Sequence, residues 1–301
     1  HLFMDLLKKE KVQLHLEEPV RHIINDQGRA AGVVTDKGRY PADAVILTTG
    51  GASYPRTGST GDGYAMAREL GHKVTTIRPA LIPLVCSELY CRELQGISLK
   101  NVTLSVDGGG RRKAEEFGEM IFTHFGISGP IVLSLSDKVS LWISQGHAVK
   151  GAIDLKPALT RDVLDKRVLR DLEKYHLKQM AGALVDLMPH RMIDTILALA
   201  EIPRDLPVSE LKKGQRLALV QAMKKMPLTI VGTRPISEAI VTAGGVSVKE
   251  VNPSTMESKI IKHLYLAGEV LDIHAYTGGY NLQAAFSTGH LAALSAVKES
   301  E

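Results

Sequence analysis

Cysteine occurs only twice in the 301 residues and tryptophan once, and aromatic side chains make up 5% of the chain. Cys86 and Cys91 stand in a C-x4-C spacing with no second pair and no neighbouring histidine. That excludes a disulfide framework and gives no zinc-ligand pattern, so the two read as reduced thiols of a cytoplasmic protein. The eleven histidines are scattered without ligand spacing, and no metal site is expected. No apolar run approaches the ~18 to 20 residues that cross a bilayer, which argues against a membrane protein. Also lacking are G-x-x-x-x-G-K-[ST] and G-x-G-x-x-G, so neither a triphosphate loop nor a self-contained Rossmann phosphate loop can be read. The first residues, HLFMDLLKKEKV, do not have the form of a signal peptide. Asp5 interrupts Leu2, Phe3, Leu6 and Leu7, whose spacing predicts a helix entered partway.

What is present is the composition of an ordinary globular chain, with 44% hydrophobic and 23% charged residues. The length suffices for two domains or for one domain carrying a large insertion. Thirty-seven Lys and Arg against thirty-three Asp and Glu leave +4 and a pI near 8.9. The charge is spread along the chain apart from the run Arg111, Arg112, Lys113, a weak signal for an anionic partner.

Ala44-Val-Ile-Leu-Thr48 and Leu264-Tyr-Leu-Ala267 are short, continuous apolar runs ending in Thr49-Gly50-Gly51 and Gly268-Glu269. Such runs predict strands of a parallel sheet buried on both faces, with ligand beyond the carboxyl edge. Upstream, Val12–Leu16 predicts a short strand, and turns at Asp26–Gly28 and Asp36–Gly38 predict a charged strand pair. From about Ala80 to Leu155 the pattern alternates, as in Val102-Thr-Leu-Ser-Val106 before the hairpin turn Asp107-Gly-Gly-Gly110, which predicts antiparallel β structure. From about Thr160 to Leu199 the apolar spacing is helical. Thr229–Val231 and Ile236–Val241 return to strand character. The chain thus reads as an α/β sheet domain interrupted by a β insert that carries a helical insert, with no internal repeat.

Three segments carry candidate chemistry. Gly268-Glu-Val-Leu-Asp272 continues through Thr277-Gly278-Gly279-Tyr280-Asn281 into a helix beginning at Leu282. Paired glycines admit close backbone approach to a ligand, and free N–H groups at a helix start donate to an electron-rich acceptor. Ala284, Ala285, Gly289, Ala292 and Ala293 keep that helix slim for packing on a sheet. The second segment, Thr48 to Tyr64, is rich in glycine and leads into a helix with Asp62 as a cap or first-turn acid. In the third, His124 lies in Phe122-Thr-His-Phe-Gly126 and is a candidate proton carrier, weighed against a purely structural histidine.

Together these residues resemble the HI0933-like family of bacterial FAD-dependent oxidoreductases, which includes aminoacetone oxidases and bile-acid reductases. The resemblance rests on Thr242-Ala-Gly-Gly245-Val, Asn252-Pro-Ser-Thr-Met256-Glu-Ser-Lys259, Leu264 to Asp272, Thr277-Gly-Gly-Tyr-Asn281, Gly58-Ser-Thr-Gly-Asp-Gly-Tyr64 and Phe122 to Pro130, spread over nearly the whole chain. It implies a Rossmann-like FAD domain over 1–78 and 235–301, a barrel-like β insert over 79–158 and 213–234, and a helical insert over 159–212. It also implies that Gly268 and Glu269 lie along the ribityl and pyrophosphate, with Asp272 and Gly278 in the same loop. Gly279, Tyr280, Asn281 and Leu282 would face the pyrimidine edge of the flavin. Thr49, Gly50 and Gly51 would lie near the dinucleotide, and Val20 would contact adenine through its backbone. Members of the family open with a strand, a glycine loop and a helix that are absent here. The chain is therefore expected to be a fragment, in which FAD binding is reduced or lost. The function implied is hydride transfer between flavin and NAD(P)H or a small organic substrate; a flavoprotein that binds or modifies RNA and a cofactor-free interaction fragment are the alternatives.

Overall fold

A computed structural model describes residues 2–298. Helix α1 (Leu2–Lys9) forms as its spacing predicts and closes with Lys8 and Lys9, which suit the negative end of the helix dipole, but none of its side chains is buried. Val12–Leu16 is not a strand. No strand pairs with it, and the apolar residues Val12, Leu14 and Leu16 remain exposed; apolar content without a ladder partner does not make a strand. The expected strand pair does form, as β1 (Val20–Asp26) and β2 (Arg29–Thr35), joined through Gln27 and Gly28 with φ of 50° and 86°. Both positive angles match the right-handed twist of a tight hairpin. β3 (Arg39–Pro41) adds to the far edge of β2, after a turn in which Thr35 Oγ1 accepts the Lys37 and Gly38 N–H groups. β4 (Val45–Leu47) buries Leu47 but leaves Ile46 37% exposed, so it is covered on one face rather than on both. A glycine-rich loop then enters α2 (Asp62–Glu69), whose N-cap is Gly61 and whose first-turn Asp62 accepts the Gly63 N–H at 3.0 Å.

β5 (Arg78–Ala80) precedes the β unit. Six strands close into an antiparallel barrel, in the order β10-β11-β6-β9-β8-β7. They begin with β6 (Leu84–Cys86), the short helix α3 (Leu89–Glu93), β7 (Ser98–Asp107), β8 (Lys113–Thr123), β9 (Gly126–Ser128), helix α4 (Pro130–Ser144) and β10 (Val149–Asp154). Four helices follow, α5 (Arg161–Lys174), α6 (Met180–Ala183), α7 (His190–Leu199) and α8 (Lys213–Lys224), and β11 (Met226–Thr233) completes the ring. In β11 the residues Met226, Leu228 and Ile230 are buried while their neighbours face water, the period of two expected of a sheet with one covered face. Leu104, Phe122, Ile127 and Ile153 are fully buried inside, and α4 adds Val132 and Leu135. The helices α5 to α8 share this core rather than forming their own, through Leu164, Ile196 and Leu219.

The chain then returns to the first unit. Ile236–Val241 is not one strand: Ile236–Glu238 is a 3-10 turn after Pro235, and β12 (Val241–Ala243) starts only where pairing with β5 becomes available. β13 (Leu264–Leu266) runs parallel to β4, with Leu264 opposite Val45 and Leu266 opposite Leu47. The two runs ending in glycine turns are therefore neighbours in one sheet. Helix α9 (Tyr280–Lys298) lies across both strands on Ala292, buried completely. Gly289 faces open space, so packing does not require it. No described helix is long and apolar enough to cross a membrane.

The Asn252–Lys259 motif has a structural use. The Ser258 hydroxyl oxygen accepts the N–H groups of Ile260 and Ile261, which leaves its proton for His72 Nε2 at 2.9 Å. The other ring nitrogen then donates to Glu250 at 3.3 Å. Burial pushes the His72 pKa below 6.5 despite the opposing pull of Glu250. The unfolded chain thus takes up a proton that the folded one resists, so the contribution of this site is present above pH 6.5 and lost as pH falls below it. Urea denaturation at pH 7.5 and 5.5 is expected to show lower stability at 5.5, with a smaller difference in His72→Gln. An unchanged pH dependence in the variant would contradict the assignment.

Candidate functional site

Two loops leave the carboxyl ends of the neighbouring strands β4 and β13 and are tied by one threonine. Thr242 Oγ1 accepts the N–H groups of Ala52 and Ser53 at 2.8 and 3.1 Å, while its own N–H donates to Glu269 Oε1 at 2.5 Å. At roughly 0.5 to 1.5 kcal/mol per neutral bond, and more to a charged acceptor, this hub fixes the Thr49–Gly51 loop against Gly268–Val270. A side chain at Gly51 would run into Thr242 and the Glu269 carboxyl, which explains the glycine. Tyr64, buried beneath, donates to the Glu269 carbonyl at 3.4 Å; burial, with Glu269 and Asp272 nearby, pushes its phenol well above the usual range.

After Gly268, whose N–H donates to Thr288 Oγ1 at 3.0 Å, the chain arches over α9. Asn281 clamps the arch: its Oδ1 accepts the Ala275 N–H at 2.8 Å and its Nδ2 donates to the Ala275 carbonyl at 2.9 Å. Under the arch is a cavity of about 410 Å3, lined by Gly268, Glu269, Gly278, Gly279, Asn281 and Leu282 among others. Gly278 and Gly279 have φ of 112° and 93°, and a Cβ on Gly279 would meet nothing within 4 Å. The first N–H groups of α9 have no intrahelical acceptor, so the helix start carries partial positive charge beside this space.

Of the residues expected to form the site, six therefore line one cavity; Gly51 packs on Thr242 and Glu269 at its side, Gly50 faces Ser59, and Thr49 lines a different cavity. The other three flavin candidates lie elsewhere. Asp272 points to Thr75, whose hydroxyl donates to it at 3.0 Å. Tyr280 is 64% exposed and outside the lining. Val20 borders a separate cavity of about 200 Å3 with Val45, Ile46 and Thr49. His124 is exposed in the turn between β8 and β9, its ring 4.9 Å from that of Phe125 in an edge-on contact, and it does not line the cavity under the arch. The structure adds lining residues that periodicity did not single out, among them Leu81, Ile240 and Tyr276.

The two cysteines come together. Donor atoms of Cys86, Glu88 and Cys91 lie within 4.8 Å of one another, the one such trio among the described residues. The Cys91 thiol, burial and Glu88 push the Cys86 thiol far above its usual range. Ellman's reagent is accordingly expected to react slowly with the folded protein at pH 8, and rapidly once it is denatured. Fast reaction of the native protein would contradict this.

The parallel pair β4 and β13, with a cavity beyond its carboxyl ends, and the closed six-stranded barrel set into the same chain make a mixed α/β protein interrupted by a barrel. Residues 1–295 match the HI0933-like protein Rossmann domain, and the chain belongs to that family. It is 34% identical to the 3-dehydro-bile acid delta(4,6)-reductase of Clostridium scindens over 97% of this chain and 71% of the relative. It is 30% identical to the ribosomal RNA dihydrouridine synthase of Escherichia coli over 95% of this chain and 68% of that protein. The corresponding synthase of Haemophilus influenzae is 32% identical over 97% of this chain and 71% of its own length.

Proposed function

We propose that the protein is an FAD-dependent reductase that saturates a carbon–carbon double bond conjugated to a carbonyl in a small organic substrate, drawing electrons from NAD(P)H in the bacterial cytoplasm. The observation that carries the reading is the cavity under the Gly268–Leu282 arch, lined by the two positive-φ glycines Gly278 and Gly279 and by the start of a helix. The residues present fit the ring end of a flavin. Gly279 has open space where a side chain would stand, and the α9 N–H groups suit the carbonyl edge of a flat ring. When bound, the flavin would supply the hydride. The chain's own part is to hold the ring through Gly268, Glu269 and Gly278–Leu282 and to place partial positive charge where the reduced ring carries negative charge.

The reaction class draws on the names of the relatives. A delta(4,6)-reductase of a 3-dehydro bile acid and a synthase of dihydrouridine both remove a double bond near a carbonyl. The second name favours a second reading, in which the substrate is a uracil ring in RNA. The test is direct. Protein expressed from the complete gene should carry stoichiometric FAD, bleach anaerobically with NADPH or NADH, and regain its colour with 2-cyclohexenone or with a uridine-containing RNA. Recovery with RNA alone selects the second reading, and flavin-free folded protein that takes up no added FAD overturns both.

A further inference from the structure

A second, smaller cavity adjoins the one beneath the arch. Its volume is about 180 Å3, and Leu81 and Tyr276 line both. His274 and Asp137 lie in its wall, with His274 Nε2 3.2 Å from Asp137 Oδ1. Asp137 is also paired with Arg78. The three residues come from three elements: His274 from the arch, Asp137 from α4 and Arg78 from β5. The imidazole is 24% exposed and the carboxylate 30%, so both reach the cavity while Arg78, at 15%, stands behind. Against burial, which pushes it up, the hydrogen bond from His274 and the charge of Arg78 hold the Asp137 carboxyl below its usual pKa. Lys138 from α4 is the other charged group in the lining.

A surface ion pair would not need this construction. The carboxylate fixes the Nε2–H of the ring, Arg78 fixes the carboxylate, and Nδ1 is left as the atom that can exchange a proton with the cavity. We infer that His274, oriented by Asp137, is the catalytic proton donor to the substrate carbon that does not receive hydride. This rests on the reductase reading above. With a reduced flavin bound, its hydride would form the C–H bond at the carbon remote from the carbonyl while the double-bond electrons pass towards the carbonyl, and NAD(P)H would return the two electrons to the cofactor. The adjacent carbon takes the proton from His274 imidazolium, which gives the saturated carbonyl compound, and the neutral imidazole regains a proton from water. Asp137 is a positioning residue, and Arg78 supports it.

The experiment separates the half-reactions. In His274→Gln, flavin content and the rate of bleaching by NAD(P)H should stay within about threefold of wild type, because neither step needs this proton. Reoxidation by 2-cyclohexenone, or by uridine-containing RNA where that is the oxidant, should fall on the order of 100-fold or more, the usual worth of a placed general acid. Imidazole added to His274→Ala should restore part of the rate. A purely structural ring would not be rescued and would lower flavin content instead. A readout independent of flavin is the ring-nitrogen NMR spectrum of the protein. Neutral His274 should carry its proton on Nε2, and Asp137→Asn should reduce that preference. Reoxidation within threefold of wild type in His274→Gln, or a proton resident on Nδ1, overturns the assignment while leaving the reductase reading in place. Wild-type protein without flavin would overturn that reading and the assignment with it.

Discussion

Gly126→Ala is expected to open the barrel along the β6–β9 seam and to lower the unfolding free energy by roughly 3 kcal/mol or more, the sum of backbone strain and a backbone clash. Gly126 has φ of 152°, and a Cβ there would strike the Leu84 carbonyl oxygen, with the Cys86 nitrogen at 2.7 Å and the Val85 Cα at 3.1 Å. These are backbone atoms of the adjacent strand, so no side chain can rotate away. Yielding would break the pairing of Val85 with Gly126 and the bond from Cys86 N–H to the Phe125 carbonyl. Because the strands close on one another, a lost seam exposes the interior formed by Leu84, Phe122 and Ile127. Gly232→Ala is the control: it lies on a neighbouring strand, and its Cβ would meet nothing within 4 Å. Urea denaturation of both variants checks the prediction. A Gly126→Ala protein within 1 kcal/mol of wild type would mean that the seam is not packed as described.

The elements that could be read from the sequence are those whose surroundings impose a period. β7 alternates from Val102 to Val106 because one face meets the barrel interior. β13 is continuous because it is covered on both sides, and its residues Leu264 to Leu266 are all buried. β6, β9 and β12 have three residues each, too few to show a period, and they exist because neighbours offer hydrogen bonds. Val12–Leu16 is the reverse case, with strand-like composition and no neighbour. The helical stretch was legible as helix, yet its sharing of a core with the barrel was not, since periodicity marks a buried face without naming what covers it.

The site divides along the same line. Gly268, Gly278 and Gly279 are legible because φ of 78°, 112° and 93° favours glycine, a local requirement written in the local sequence. Thr242 acts through contacts across 27 to 190 positions, and Asp137 meets Arg78 across 59 and His274 from further still; Thr242 stands in a legible motif, but no local pattern names these partners. Asn281 lies between: its place in the motif was legible, but the use of its side chain, which holds the arch through Ala275, was not.

Gly279→Val is expected to abolish flavin retention while leaving the protein folded. The two effects separate because the wild-type Cβ direction is empty. No atom lies within 4 Å of that position, so the fold pays only for φ of 93° in a β-branched residue, about 1 to 3 kcal/mol. Gly279 lines the cavity under the arch, and on the proposed reading a valine there would crowd the space where a ring plane approaches the backbone. Displacing the ring also separates it from the α9 N–H groups. Two lost bonds at roughly 1.5 kcal/mol each correspond to more than a hundredfold in affinity, before the steric term is added. Gly279→Ala should be intermediate, carrying the backbone strain with less bulk. The measurement is flavin content per folded protein after expression from the complete gene, followed by titration of FAD into stripped protein. Retention unchanged in a folded Gly279→Val protein would place the flavin elsewhere. Loss in Gly279→Ala as complete as in the valine variant would instead assign the effect to the backbone conformation rather than to the space above it.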